Sequence, residues 1–220
     1  MTTHPTTLAD LATAYPGAAR VFYRHGLDFC CGGRRPLGEV CIKRGLDADS
    51  LFNEIEEESR TITDQRRWDR EPLEALVAFI VDTYHRRLRE TFPDLIRMAA
   101  RVENRHGDKP ECPRGLTAQL ELMHEAVLDH LEKEEQVLFP LIVAGRGPSA
   151  VGPAHVMEME HDEHAKNLEV LRRLTNNMQP PEAACTTWRA LYLALRQFEE
   201  ELMVHIHLEN NVLFRRALAA

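Results

Sequence analysis

The sequence predicts an all-α protein in which an antiparallel four-helix bundle follows a small helical domain. Apolar residues recur at helical spacing through four long stretches, and connections rich in glycine and proline separate these stretches. One segment is also written twice, as Asp129-His-Leu-Glu-Lys-Glu-Glu-Gln-Val-Leu-Phe-Pro140 and as Val204-His-Ile-His-Leu-Glu-Asn-Asn-Val-Leu-Phe-Arg215, which indicates a duplicated structural unit. No strand pattern competes, and long amphipathic helices with short loops are typical of an antiparallel bundle.

Residues 1–60 are predicted to form a small domain of short helices. Thr7 fits the N-cap of the first helix, and Pro36 and Asp47 fit the starts of two later ones. Between the second and third helices lies the loop Leu27-Asp-Phe-Cys-Cys-Gly-Gly33, whose glycines permit backbone conformations that other residues avoid. The predicted helices cover residues 8–15, 18–25, 37–44 and 48–59.

Residues 61–71 are polar and charged and are predicted to be a linker to the bundle, which covers residues 72–220. Pro72 suits the first turn of a helix, and the apolar positions that follow it form a buried stripe. Pro93 is expected to kink or break this first long helix. The other three helices are predicted at about residues 116–143, 154–176 and 182–217.

Composition excludes several classes of function. The net charge of −8 argues against nonspecific binding to nucleic acid. The start of the chain resembles no signal peptide, and no apolar run is long enough to span a membrane. Five cysteines are an odd number, which suits reduced thiols in the cytoplasm. The sequence leaves open whether the protein is a monomer or a homodimer.

The duplicated segments each place a histidine four residues before a glutamate. His130 and Glu134 form the first pair, and His205 and Glu209 form the second. Residues four apart lie on one face of a helix, so each helix offers a nitrogen and a carboxylate in the same direction. Charged carboxylates are rarely buried without a partner or a metal. The two pairs therefore predict a shared two-metal site.

The rise of a helix indicates which other histidines lie at the same level. His85 and His130 are each roughly 27 Å from the turn that joins their helices, and His161 and His205 lie roughly 24 and 31 Å from theirs. Each of the four helices thus contributes one histidine to the site. His106 would be about 31 Å from His85 along a continuous helix, and it is not expected at this level.

The ligand types favour some metals over others. Four imidazoles and two carboxylates, with Glu134 and Glu209 bridging, suit iron or manganese better than a structural zinc. A ferritin-like site for iron oxidation or storage is an alternative, because such sites use Glu-x2-His motifs. The sequence contains two of these, at Glu158 to His161 and at Glu121 to His124. Zinc or manganese in the same pocket remains a further alternative.

Residues 72–217, with His85, the duplicated pairs and His161 in Glu160-His-Asp-Glu-His164, resemble a hemerythrin-like di-iron domain. The loop with Cys30 and Cys31 resembles the N-terminal domain of the ScdA/YtfE family, the repair of iron centres proteins. The resemblance covers essentially the whole chain. It implies a cytoplasmic di-iron protein that restores iron–sulfur clusters damaged by nitric oxide or oxidants.

Further expectations follow from this resemblance. It implies two non-haem irons bridged by an oxo or hydroxo species, with ligands at His85, His130, Glu134, His161, His205 and Glu209. Its partners would be damaged iron–sulfur proteins, with nitric oxide or oxygen as small ligands. Oxygen-carrying hemerythrins have a second histidine where this chain has Ala165, so the site should be more open; His164 is the neighbouring alternative.

Cys30 and Cys31 are the other candidates for chemistry. Adjacent cysteines bond each other only with strain, so they are expected to act as thiols. The resemblance implies that these thiols reach the di-iron site or receive iron or nitric oxide. A small pair of buried residues in a tight loop is the alternative. A second functional hypothesis is a sensor, in which the metal pair detects oxygen or nitric oxide and the cysteine domain passes the change to a partner.

Overall fold

The computed structural model describes residues 6–63 and 66–219, and within these ranges it contains helices and no β-strand. The predicted all-α class is confirmed. Eleven α-helices and three short π-helical segments occur in the described part of the chain. The α-helices are α1 (Leu8–Ala14), α2 (Ala18–Arg24), α3 (Leu37–Arg44), α4 (Ala48–Thr61), α5 (Leu73–Ile80), α6 (Arg86–His106), α7 (Leu116–Lys133), α8 (Phe139–Val143), α9 (Gly147–Leu174), α10 (Thr186–His207) and α11 (Phe214–Ala219).

The π-helical segments lie inside the long helices of the bundle. They are π1 (Val81–His85), which joins α5 to α6, π2 (Glu134–Leu138), which joins α7 to α8, and π3 (Leu208–Leu213), which joins α10 to α11. Each adds a wider turn to an otherwise continuous helix, and such turns are frequent at functional sites. By contrast, α6 continues through Pro93, at which the sequence predicted a kink or break.

The chain divides into two compact units. The first contains residues 1–78, 141–151 and 203–220, and the second contains residues 79–140 and 152–202. None of the described helices is both long enough and apolar enough to cross a membrane.

The first unit is built around short helices with clear capping. Thr7 accepts a hydrogen bond from the Asp10 amide, and the Asp10 carboxylate accepts one from the Thr7 amide, which closes a capping box at the start of α1. Asp47 caps α4 in the predicted way, by accepting from the Ser50 amide at 2.8 Å. Phe22 and Phe29 form the centre of the core, with 6.0 Å between their ring centroids.

The second unit is an antiparallel arrangement of four helices. The α6 and α10 helices run in opposite directions, since His106 packs on Trp188 at one end and Arg87 pairs with Glu201 towards the other. Helices α7 and α9 are likewise antiparallel, because Gln119 donates to Asn167 at one end and the His130 and His161 rings meet near the other. Its core holds fully buried apolar side chains of Phe92, Leu95, Leu120, Leu171, Trp188, Leu191 and Leu195.

Candidate metal centre

The three π-helical segments carry or adjoin the predicted metal ligands. His85 is the last residue of π1, Glu134 is the first residue of π2, and Glu209 lies in π3. An extra residue in a turn rotates the side chains that follow it relative to those before it. The segments therefore set the direction in which these ligands leave their helices, which a regular helical wheel does not describe.

Four predicted ligands of the second unit form one buried cluster. His85, His130, Glu134 and His161 are all at most 2% exposed. The Oε2 atom of Glu134 lies 3.4 Å from Nε2 of His85 and 3.5 Å from Nε2 of His130. The Nε2 atoms of His130 and His161 are 3.0 Å apart. The Glu134 carboxylate thus lies between the imidazoles of His85 and His130, and the His161 ring meets that of His130.

Two further carboxylates, one each for His85 and His130, contact the ring nitrogen that points away from Glu134. The Nδ1 atom of His85 lies 2.7 Å from Glu135, which also accepts from Arg89 at 2.9 Å. Burial would raise the pKa of Glu135, but its hydrogen bonds with His85 and Arg89 bring that pKa below its usual value.

His130 has the equivalent partner on the facing helix. Its Nδ1 atom lies 2.9 Å from Glu160, whose other oxygen accepts from Lys133 at 2.6 Å. The hydrogen bond with His130, joined by that with Lys133, lowers the pKa of Glu160 to about 2. Ionised carboxylates only accept hydrogen bonds, so His85 and His130 donate to them from Nδ1, and their Nε2 atoms face Glu134.

This donor set fits a metal such as iron. The Nε2 atoms and the Glu134 carboxylate are the nitrogen and oxygen ligands that iron accepts, and no thiolate lies among them. Metal-bound histidines commonly donate their other ring N–H to a carboxylate, which fixes the tautomer and the ring orientation. Glu135 and Glu160 supply that support.

The other predicted pair lies in the first unit. His205 Nε2 is 2.8 Å from Glu209 Oε1, and both residues are buried. The residues that follow include three further buried polar side chains, those of His207, Asn210 and Asn211. Burial lowers the pKa of His207 to about 4, so its ring is neutral where it packs 5.8 Å from the Phe29 ring.

The loop with Cys30 and Cys31 is held against this helix. The Asn211 side-chain amide donates to the Cys30 carbonyl at 2.9 Å and to the Phe29 carbonyl at 3.4 Å. Asp28 closes the loop by accepting from the amides of Cys31 and Gly32, at 3.1 and 2.9 Å.

The two thiols of this loop differ. All five cysteines are free. Cys30 is buried and Cys31 is partly exposed, with 3.9 Å between their sulfur atoms. The hydrogen bond with Cys31, burial and the charge of Asp28 raise the pKa of Cys30 well above its usual value, so Cys30 is a protonated thiol at neutral pH. Gly33 is required because a Cβ there would collide with the Phe29 carbonyl.

Three further histidines of the described residues, His106, His124 and His164, differ in their distance from the cluster. His164 is buried, and its ring is 4.9 Å from that of His130, so it packs against the cluster. His106 lies against Cys185 and Trp188 near the start of α10, and His124 stacks on Phe92. Glu121 is exposed. The second Glu-x2-His motif, Glu121 to His124, is therefore not part of the cluster.

Sequence reasoning missed Glu135, Glu160 and Asn211. A usable signal existed for the first two, because Glu135 directly follows Glu134 and Glu160 directly precedes His161. Asn211 had no comparable signal, since its partners are backbone carbonyls more than 180 residues away in the chain.

Comparison with known proteins agrees with the resemblance seen in the sequence. Residues 76–217 match the hemerythrin HHE cation binding domain, and residues 4–59 match ScdA_N, a domain of unknown function (DUF542). Iron-sulfur cluster repair proteins YtfE of Yersinia pseudotuberculosis serotype O:1b (strain IP 31758) and of Yersinia pestis (strain Pestoides F) are each 48% identical over 212 residues, or 96% of both chains. The chain therefore carries a ScdA_N domain and belongs to the hemerythrin HHE cation-binding family and to the family of the YtfE iron–sulfur cluster repair proteins.

Proposed function

We propose that the protein repairs iron–sulfur clusters damaged by nitrosative or oxidative stress, using a pair of non-haem irons. The observation that carries this proposal is the buried cluster of imidazoles around the Glu134 carboxylate. Relatives that are 48% identical over nearly their whole length are named iron-sulfur cluster repair proteins. The family match spans all six proposed ligands, which are His85, His130, Glu134, His161, His205 and Glu209.

The side chains suggest a division of roles within this site. One oxygen of Glu134 is almost equally distant from the Nε2 atoms of His85 and His130, which supports a bridging role for this carboxylate. We assign Glu209 the same role because it occupies the matching position of the duplicated segment. When bound, the irons would supply an oxo- or hydroxo-bridged centre that binds nitric oxide or oxygen. They would also supply the iron that the protein passes on. The carboxylates of Glu135 and Glu160 would keep the imidazoles oriented throughout.

We assign Cys30 and Cys31 the role of thiols that receive iron or nitric oxide. Asp28, Cys30 and Cys31 together form a group whose ligand atoms lie within 4.8 Å of one another. Cys31 is the more accessible of the two thiols, and the protonated Cys30 would have to lose its proton to act as a ligand. Damaged iron–sulfur proteins would be the clients. Five free cysteines suit a reducing compartment such as the cytoplasm.

Iron binding and repair can be tested together. The purified protein should bind about two irons per chain and should reactivate an iron–sulfur enzyme that nitric oxide has inactivated. A His161→Gln variant should bind less iron and repair more slowly, whereas a His124→Gln variant should match the parent protein, because His124 stacks on Phe92 outside the cluster. Iron-loaded protein that never restores the damaged enzyme would remove the repair assignment.

Sensing is a second candidate, and one contact favours it. Asn211, two residues after Glu209, donates to the Cys30 carbonyl, so a change at this helix could reach the cysteine loop directly. Iron loss to a chelator separates the two functions. A repair protein that donates iron should release metal faster after nitric oxide is added, whereas a sensor should bind nitric oxide reversibly and keep its metal.

A further inference from the structure

A cavity of about 750 Å³ lies beside the C-terminal part of α6 and the first residues of α10. Its volume is in the range of sites that bind small molecules. The residues that matter for its chemistry are Arg97, Arg101, Arg105, His106, Cys185 and Thr187. All of them belong to the second unit of the chain. None belongs to the proposed metal site.

The cavity wall is positively charged. Arg97, Arg101 and Arg105 are spaced four residues apart on α6, so they line one face of this helix. Arg97 is paired with Asp94 at 2.6 Å, but among the described residues neither Arg101 nor Arg105 has a carboxylate partner. Guanidinium groups without a partner bind carboxylates through paired N–H donors. The cavity is therefore suited to an anionic molecule.

Cys185 brings a thiol to this wall. It is partly exposed, and its carbonyl accepts from the Arg189 amide at 3.0 Å, which places it at the start of α10. The start of a helix carries partial positive charge. Partly exposed cysteines in positively charged surroundings are those that react with electrophiles and oxidants.

His106 is positioned to exchange a proton with this thiol. Its Nε2 atom lies 3.2 Å from the Cys185 sulfur, and its ring is 8% exposed and packs 5.3 Å from the Trp188 ring. The imidazole is thus held in place beside a sulfur that the cavity leaves accessible. Cys112 differs, because burial raises the pKa of its thiol and no comparable histidine contact is found for it in the described part of the chain.

We propose that this cavity binds an anionic low-molecular-weight disulfide and that Cys185 forms a mixed disulfide with it. His106 Nε2 takes the thiol proton while the Cys185 sulfur attacks one sulfur of the bound disulfide. The new bond joins Cys185 to that sulfur, the old S–S bond breaks, and the leaving sulfur takes the proton as a free thiol. Cys185 is oxidised and the leaving sulfur is reduced, so the disulfide is the only oxidant needed.

The proposal is independent of iron binding. Cys185 contacts His106, which is 21 residues after His85, or about 31 Å along a helix of ideal rise. The metal-free full-length chain should therefore show the reaction.

Two disulfide probes separate recognition from simple reactivity. Glutathione disulfide is anionic and bis(2-hydroxyethyl) disulfide is neutral, and modification of each cysteine is followed by peptide mass mapping. Cys185 should react with glutathione disulfide at least about tenfold faster than the buried Cys112 does. An Arg101→Gln/Arg105→Gln double variant should lower the Cys185 rate with the anionic probe by about tenfold and leave the rate with the neutral probe unchanged.

Two substitutions complete the test. His106→Gln should lower the rate at which Cys185 reacts with both probes, because the proton acceptor is lost. Cys185→Ser should abolish the adduct on the peptide that contains residue 185. The arginines lie at the surface, and circular dichroism shows whether the double variant remains folded. The proposal is overturned if Cys185 reacts no faster than Cys112, or if the arginine substitutions slow both probes equally or slow neither.

Discussion

Replacing Asn211 by alanine should release the cysteine loop without unfolding the protein. The Asn211 amide is 8% exposed and donates to the Cys30 carbonyl at 2.9 Å, with a weaker contact to the Phe29 carbonyl at 3.4 Å. Loss of the donor leaves the Cys30 carbonyl without this partner, at a cost of about 1–3 kcal/mol. If this cost falls on the closed loop alone, the loop should open about 5- to 150-fold more often.

The reactivity of Cys30 reports this opening. Cys30 is 5% exposed and its pKa is raised, so it should react with a thiol reagent mainly when the loop is open. The rate in Asn211→Ala should therefore rise by about 5- to 150-fold. Cys41, which is 1% exposed in α3, serves as the internal reference, because its rate should rise only if the whole unit unfolds more often.

An asparagine elsewhere provides the matched control. Asn167 accepts a hydrogen bond from Gln119 at 3.0 Å in the second unit, so Asn167→Ala removes an asparagine contact without touching the loop. It should leave the Cys30 rate unchanged. If Asn211→Ala keeps the Cys30 rate within about twofold of the parent protein at equal overall stability, the Asn211 contact does not hold the loop and the reasoning is wrong.

Three further predictions concern the metal site, the core and the response to acid. Glu160→Gln should weaken iron affinity by about 10- to 100-fold in a chelator competition, because the His130 imidazole loses the carboxylate that orients it. Leu191→Ala should lower the free energy of unfolding in guanidinium by about 2–5 kcal/mol, because Leu191 is fully buried. The hydrogen bond from Arg24 lowers the pKa of Glu58. The Arg24–Glu58 pair therefore contributes stability above the unfolded pKa of about 4.3, and this stability is lost as pH falls through the lower pKa of the folded protein. Denaturation below about pH 4 should accordingly show a loss of at most about 1 kcal/mol that Arg24→Gln no longer shows.

The helical fold could be predicted because its signals are local. The apolar stripe after Pro72 and the caps at Thr7 and Asp47 each depend on residues within one or two turns of each other, and the structure has helices at all of these places. The π-helical segments could not be predicted in this way. One extra residue in a turn hardly alters the apolar pattern of a long helix, so the periodicity does not reveal it.

The candidate site was likewise predictable only where its signals are local in the sequence. Duplication and four-residue spacing identified His130 with Glu134 and His205 with Glu209, and the structure buries both pairs. Glu135 and Glu160 stand next to predicted ligands in the sequence, but only the packing of the helices shows which imidazole each of them contacts. Nothing local in the sequence linked His106 to Cys185, which is 79 residues distant in the chain.

The sequence by itself determined the helices, the faces on which the histidines and glutamates lie, and the family to which the chain belongs. The tertiary structure decided which ring nitrogen of each histidine turns inward, which carboxylates hold the other nitrogen, and which side chain holds the cysteine loop. The physical reason is the separation in sequence between the residues that interact. Helical periodicity relates residues three or four apart, whereas the orientation of an imidazole depends on hydrogen bonds with side chains that only the packing of separate helices brings near.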